Sequence, residues 1–205
     1  MRISNIKILL SALMALVCFM SCSESDEAGE FDNWRNRNAQ YIDSIADVAH
    51  ANTEGNWKIF LADGLDASAH WSNEDYVYCK VLQQGDGDKN PMANDTIIVN
   101  YRGRLIPTLN FPQGYVFDQS YYGQLDPSTD VPVKLNLIGC VRGWRTAVAH
   151  MVKGTTPTTG DIWRIYVPYK LGYGTSASGS IPGYSTLIFD INLVDFYNVG
   201  ASASE

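Results

Sequence analysis

Residues 138–151 read IGCVRGWRTAVAHM, and the architecture turns on where this stretch changes from extended to helical. Gly143 breaks an extended approach and Trp144 opens a short helix. Trp144, Ala147, Val148 and Met151 fall at i, i+3, i+4 and i+7, one apolar stripe on a 3.6-residue period. Arg142 and Arg145 leave that stripe for solvent. An indole in the first turn of a lone helix needs an apolar wall. Residues 186–193 (TLIFDINL) supply one, because Leu187, Phe189, Ile191 and Leu193 share a face at period two.

Strand patterns surround that helix. Residues 161–167 (DIWRIYV) put Trp163, Ile165 and Val167 on one side before Pro168 ends the run. Residues 76–82 (YVYCKVL) are β-rich and stop at a polar turn cluster, 83–88. In 96–101, Ile97, Val99 and Tyr101 alternate; 116–118 is a short extended piece; Val133, Leu135 and Leu137 alternate again. Residues 103–114, 119–130 and the Gly- and Ser-rich 169–184 are loops. The expected class is α+β: an antiparallel sheet closed on a single short helix.

Further upstream, Phe31, Trp34, Tyr41, Ile42, Ile45, Val48 and Ala49 recur at helical spacing, opposite Arg35, Arg37, Gln40, Asp43 and Asp47. This predicts an N-terminal amphipathic helix of about five turns. Its stripe packs on the main domain or, as a homodimer, on a second copy. Residues 56–73 read as an irregular connection. Residues 1–21 carry a basic start (Arg2, Lys7), then the apolar run 8–20, and Cys22 follows at once with SESDE behind it. That order resembles a bacterial lipoprotein signal peptide with Cys22 as the lipidated residue. It predicts a cell-envelope protein anchored in the outer membrane by acyl chains, on its periplasmic or surface face. The expected organisation is a signal peptide at 1–21, leader, helix and connection at 22–74, a folded domain at 75–197 and a disordered tail at 198–205.

Composition narrows the function. With 45% apolar and 18% charged residues the chain can build a sizeable core. The net charge of −7, without a basic stripe, argues against nucleic acid as a partner. His50, His70 and His150 lack metal-ligand spacing, and no phosphate loop or nucleophile elbow is present. Cys79 and Cys140 remain for a disulfide, but nothing in the pattern brings them together.

Five blocks in order, Val99-Asn-Tyr-Arg-Gly103, Phe117-Asp118, Val141-Arg-Gly-Trp144, Tyr173-Gly174 and Leu187-Ile-Phe-Asp-Ile-Asn-Leu193, resemble the signature of FKBP-type peptidyl-prolyl cis-trans isomerases. The resemblance covers roughly residues 75 to 197. It implies a half-open antiparallel sheet wrapped around one short central helix. It also implies an aromatic pocket with Trp144 as floor and Tyr101, Phe117, Val141 and Phe189 as walls. Tyr173 and the Val141 amide would donate hydrogen bonds to a substrate carbonyl, and the Tyr101 hydroxyl would hold Asp118. Val133, Cys140 and Ile181 would complete the substrate-binding surface, Ile181 capping the far edge. Val133 stands where the family often has Phe, and Cys140 replaces an aliphatic residue.

The implied activity is isomerisation of X–Pro bonds in unfolded or partly folded proteins, with neither cofactor nor metal. The alternative is a non-catalytic chaperone or partner-binding surface lipoprotein of the same fold. For a surface lipoprotein that binds a glycan or host protein, aromatics on the long loops (Tyr115, Tyr121, Tyr122) would matter more than Trp144.

Overall fold

The computed structural model describes residues 29–198. The signal peptide read at 1–21, Cys22 and the tail beyond Asn198 lie outside them. Helix α1 spans Trp34–Ala51. Strands follow at β1 (Trp57–Leu61), β2 (Tyr76–Gln83), β3 (Asp95–Arg104), β4 (Val116–Gln119) and β5 (Val133–Asn136). Then come helix α2 (Arg142–Val148), β6 (Ile162–Val167) and β7 (Leu187–Asn198). The strands form one antiparallel sheet in the order β1-β2-β6-β7-β3-β4, with β5 beside β4 on the outer flank of β3.

The alternation of β7 explains the two layers. Leu187, Phe189, Ile191 and Leu193 turn inward and pack with Trp163, Ile165, Val167 and the α2 stripe of Trp144, Ala147, Val148 and Met151. Each of these is nearly or fully removed from water. Ile188 faces the other way and joins Tyr78 and Tyr166 against Ile42, Ala46 and Ala49 of α1. The N-terminal helix therefore rests on the back of its own sheet.

Four details depart from expectation. First, residues 57–61 are an edge strand rather than part of a connection, running Trp57 to Leu61 against Lys80 to Tyr76. Asn52 makes the reversal: it closes α1 in the left-handed region at φ 40°, and its side-chain oxygen accepts from the Trp57 amide at 3.0 Å. Second, the buried side of α1 is Trp34, Asn38, Ile42, Ala46 and Ala49, while Phe31 precedes the helix and, like Val48, is exposed. Third, α2 starts at Arg142, after a 3-10 turn over Leu137–Gly139. Gly143 lies inside this helix instead of breaking the approach to it, and a side chain there would collide with Val167, so the close packing of α2 on β6 requires glycine. Fourth, Arg142 is not a solvent arm, since its Nε donates to the Asp63 carbonyl at 2.9 Å.

Candidate active site

The inner face of the sheet and α2 meet in an aromatic arrangement. The rings of Tyr101 (β3) and Trp144 (α2) cross at 90° with centroids 5.5 Å apart. Trp144 and Phe189 (β7) cross at 85° and 5.4 Å, and Phe117 (β4) meets Phe189 at 89° and 5.5 Å. Edge-to-face contacts of this kind match the ring quadrupoles and fix each ring's plane. Gly103 makes the packing possible: a Cβ there would lie 2.6 Å from the Phe117 ring and 2.7 Å from that of Phe189.

In front of these rings lies a cavity of about 210 Å³. Tyr101, Asp118, Cys140, Val141, Trp144, Tyr173 and Phe189 line it, together with Leu135 and Gly139, which the sequence reading did not single out. Leu135 was legible as an inward position of β5; Gly139 carries no side-chain signal. The other three residues expected here do not line it. Phe117 meets the Phe189 ring edge-on, and Val133 pairs with Val99 and packs against the core. Ile181 is buried in the main core, where its backbone exchanges hydrogen bonds with Ser178, instead of capping the cavity. Of the loop aromatics, Tyr122 is open to solvent, whereas Tyr121 is buried beneath the Arg102 guanidinium, 4.4 Å from its ring centre.

Trp144 is 3% exposed, and its indole N–H has no partner among the described residues. The Tyr101 hydroxyl donates to Asp118 Oδ2 at 2.6 Å. Burial, reinforced by that hydrogen bond to the carboxylate, pushes the Tyr101 phenol well above its ordinary range. Burial also raises Tyr173, with the Asp118 charge adding to it. Both hydroxyls stay protonated at neutral pH, so they can donate but not act as bases. Cys140 is a free thiol that burial pushes up to about 11, which leaves little thiolate for nucleophilic attack. The site is thus apolar, rimmed by two phenols and one carboxylate, and holds no activated nucleophile.

Comparison with known proteins agrees with this geometry. The chain is 41% identical over 117 residues to the peptidyl-prolyl cis-trans isomerase Mip of Coxiella burnetii, covering 56% of this chain and 42% of that one. It is 34% identical over 124 residues to the FKBP-type isomerase FkpA of Escherichia coli K12, covering 60% and 38%. The chain thus spans about two fifths of the length of these relatives. A crystal structure of a peptidyl-prolyl cis-trans isomerase from Pseudomonas syringae superposes with TM-score 0.53 at 25% identity, over 80% of this chain and 96% of that one. The crystal structure of E. coli FkpA shares the fold with TM-score 0.55 at 23% identity, over 97% and 74%. The sequence pattern of the FKBP-type peptidyl-prolyl cis-trans isomerases matches residues 87–194, more than half of the chain and every strand and helix that borders the cavity, and the chain belongs to that family.

Proposed function

We propose that this chain isomerises X–Pro bonds in unfolded or partly folded proteins. The observation that carries the reading is the right-angled Tyr101–Trp144–Phe189 cluster floored by a buried indole. Rotation about an X–Pro bond breaks no covalent bond. Its barrier is the lost amide resonance, about 18–20 kcal/mol, and spontaneous exchange takes on the order of tens to hundreds of seconds. The twisted amide has a less polar carbonyl than the planar one. A dry aromatic slot therefore favours the transition state over the ground state, without acid, base or metal. Tyr173, half exposed at the mouth, and the Val141 amide at the start of α2 would hold the substrate carbonyls. Asp118 would fix the Tyr101 ring through its hydrogen bond. An acceleration of roughly 10⁴-fold asks for only about 5.5 kcal/mol.

The test is cis-to-trans exchange in a proline tetrapeptide, followed by protease coupling or NMR. Wild-type chain is expected to accelerate it, and Tyr173→Phe combined with Asp118→Ala to remove most of the acceleration. Exchange at the uncatalysed rate with wild-type chain refutes the proposal. A non-catalytic holdase of the same fold would instead suppress aggregation of a proline-free client equally well with those residues changed.

The proposal extends to location: a chain lipidated at Cys22, held at the outer membrane and meeting clients outside the cytoplasm. Losing Arg2 and Lys7 with the signal peptide takes the net charge from −7 to −9, which keeps the body off anionic lipid. No helix among the described residues is long and apolar enough to cross a membrane. Mass spectrometry of the mature amino terminus checks this; a free Cys22 thiol would exclude the anchor. A homodimer through α1 would have to use the face bearing Val48, because the buried stripe already lies on the sheet.

A further inference from the structure

We infer that α1 positions the catalytic loop, with Trp34 and Asn38 tethering the far end of the segment that carries Tyr173. The helix is separated from that loop by more than a hundred residues, yet its first turns grip it. Trp34 Nε1 donates to Ser185 Oγ at 2.9 Å in a buried contact. Ser185 Oγ in turn donates to the Pro182 carbonyl at 2.6 Å. Asn38 Oδ1 accepts from the Thr186 amide at 2.7 Å, and its Nδ2 donates to the Trp34 carbonyl at 2.8 Å. Asn38 is 2% exposed, so a polar side chain has been placed under the helix where the amphipathic pattern calls for an apolar one.

The tether reaches the site in one further step. Tyr184 sits beside Ser185 with φ at +63°, a conformation that L side chains rarely adopt and that needs outside support. The Arg35 guanidinium of α1 lies 4.8 Å from its ring centre, and Tyr169 packs on it at 5.2 Å. In that conformation the Tyr184 amide donates to the Gly174 carbonyl at 2.9 Å, and the Gly174 amide donates to Tyr169. Gly174 directly follows Tyr173, which lines the cavity. Helix, Ser185 and Thr186, Tyr184, Gly174 and Tyr173 thus form one continuous path. The segment just before the helix also holds the opposite loop, through a hydrogen bond from the Asn110 side chain to Glu30. Trp34 and Asn38 do not line the cavity and act only by positioning.

The catalytic consequence rests on the isomerase reading; the tether itself does not. The full chain is compared with Trp34→Phe, Asn38→Leu and, from the loop side, Ser185→Ala, which leaves the helix untouched. Ile42→Val, on the same helix face but against Tyr78 and Tyr166, is the packing control. Amide hydrogen exchange of residues 172–186 is expected to quicken about tenfold in the first three variants, with β3 unchanged. Ile42→Val is expected to leave the loop at its wild-type rate. In the proline-peptide assay kcat/KM should fall about three- to tenfold, and the fall should vanish once Tyr173 is already Phe. Loop exchange that stays at the wild-type rate, or quickens no more than that of β3, overturns the tether. A kcat/KM loss undiminished in the Tyr173→Phe background overturns the route through Tyr173. Inactive wild-type chain would refute the isomerase reading alone, and the exchange experiment would still decide the tether.

Discussion

Gly103→Ala is the smallest change that interrogates the aromatic cluster. The added Cβ would lie 2.6 Å from two atoms of the Phe117 ring and 2.7 Å from the Phe189 ring. Reaching an ordinary 3.4 Å contact requires the Phe117 ring to yield by about 0.8 Å. Both rings are braced by a neighbour. Phe117 is braced edge-on against Phe189, and Phe189 against Trp144. The strand is held as well, with Gly103 paired to Asp118 on one side and to Phe189 on the other. Backbone strain plays no part, because Gly103 is not among the positive-φ glycines. Overpacking of this size costs about 1–3 kcal/mol, readable as a shifted midpoint in urea at unchanged slope. A displacement approaching 1 Å at a reacting site lowers kcat/KM by roughly 10- to 100-fold. Adding Phe117→Leu, which removes ring atoms from the collision, should restore part of the stability. An alanine variant with wild-type midpoint and wild-type kcat/KM would mean that the rings are loosely packed and do not define the slot.

Two further outcomes follow from charge and protonation. Because burial raises the Tyr101 and Tyr173 phenols and the Cys140 thiol in the slot, kcat/KM should be flat between about pH 6 and 9. A bell-shaped profile would point to acid–base chemistry instead. Stability should behave differently: Cys140 rises from 9.0 to about 11 and Tyr41 from 10.0 to about 12 in the fold, both chiefly through burial. A folded value raised above the unfolded one contributes stability that is complete below the unfolded value. Unfolding free energy should therefore hold up to about pH 9 and decline toward pH 12, as measured by denaturant titration. Asp190→Ala should be costly, because Asp190 bridges Arg104 at 2.6 Å and Arg164 at 2.6 and 3.0 Å on a face that leaves it 13% exposed. Stranding the buried Arg104 guanidinium costs about 3–5 kcal/mol, with the more exposed Arg164 adding less, and a loss of unfolding free energy of about a tenth of that would show the triad to be solvated.

What the sequence disclosed depended on contrast between faces. β7 and α2 were legible because apolar and polar positions separate cleanly at periods of two and 3.6. β1 lacks that contrast. Trp57 stacks on Tyr166 on one side of the sheet while Phe60 stacks on His150 and Trp163 on the other. A strand apolar on both faces has no alternation to detect. Asn38 was hidden for another reason: it sits on the buried row of the helix, but the partner that lets a polar side chain stand there is the Thr186 amide, 148 residues away. Tyr121 looked like a loop aromatic because nothing local announces the Arg102 guanidinium that covers it. In the candidate site the aromatic and carboxylate positions were readable through ordered blocks. Ile181 was not, since whether a loop apolar residue caps a cavity or enters the core is set by tertiary packing.

The same alternation explains why this chain commits to one arrangement. In β7, Phe189 must face the cavity while its neighbours Ile188 and Asp190 face α1 and the two arginines. A one-residue slip would turn Asp190 into the aromatic wall and Phe189 onto the arginines. Both faces would lose at once, since the carboxylate would be buried without a partner and the guanidinium groups left without theirs. The sheet's two faces therefore demand the same register independently, one through apolar packing and the other through charge. That agreement fixes the register in which Phe189 meets Trp144 at near right angles, so β7 itself sets one wall of the slot.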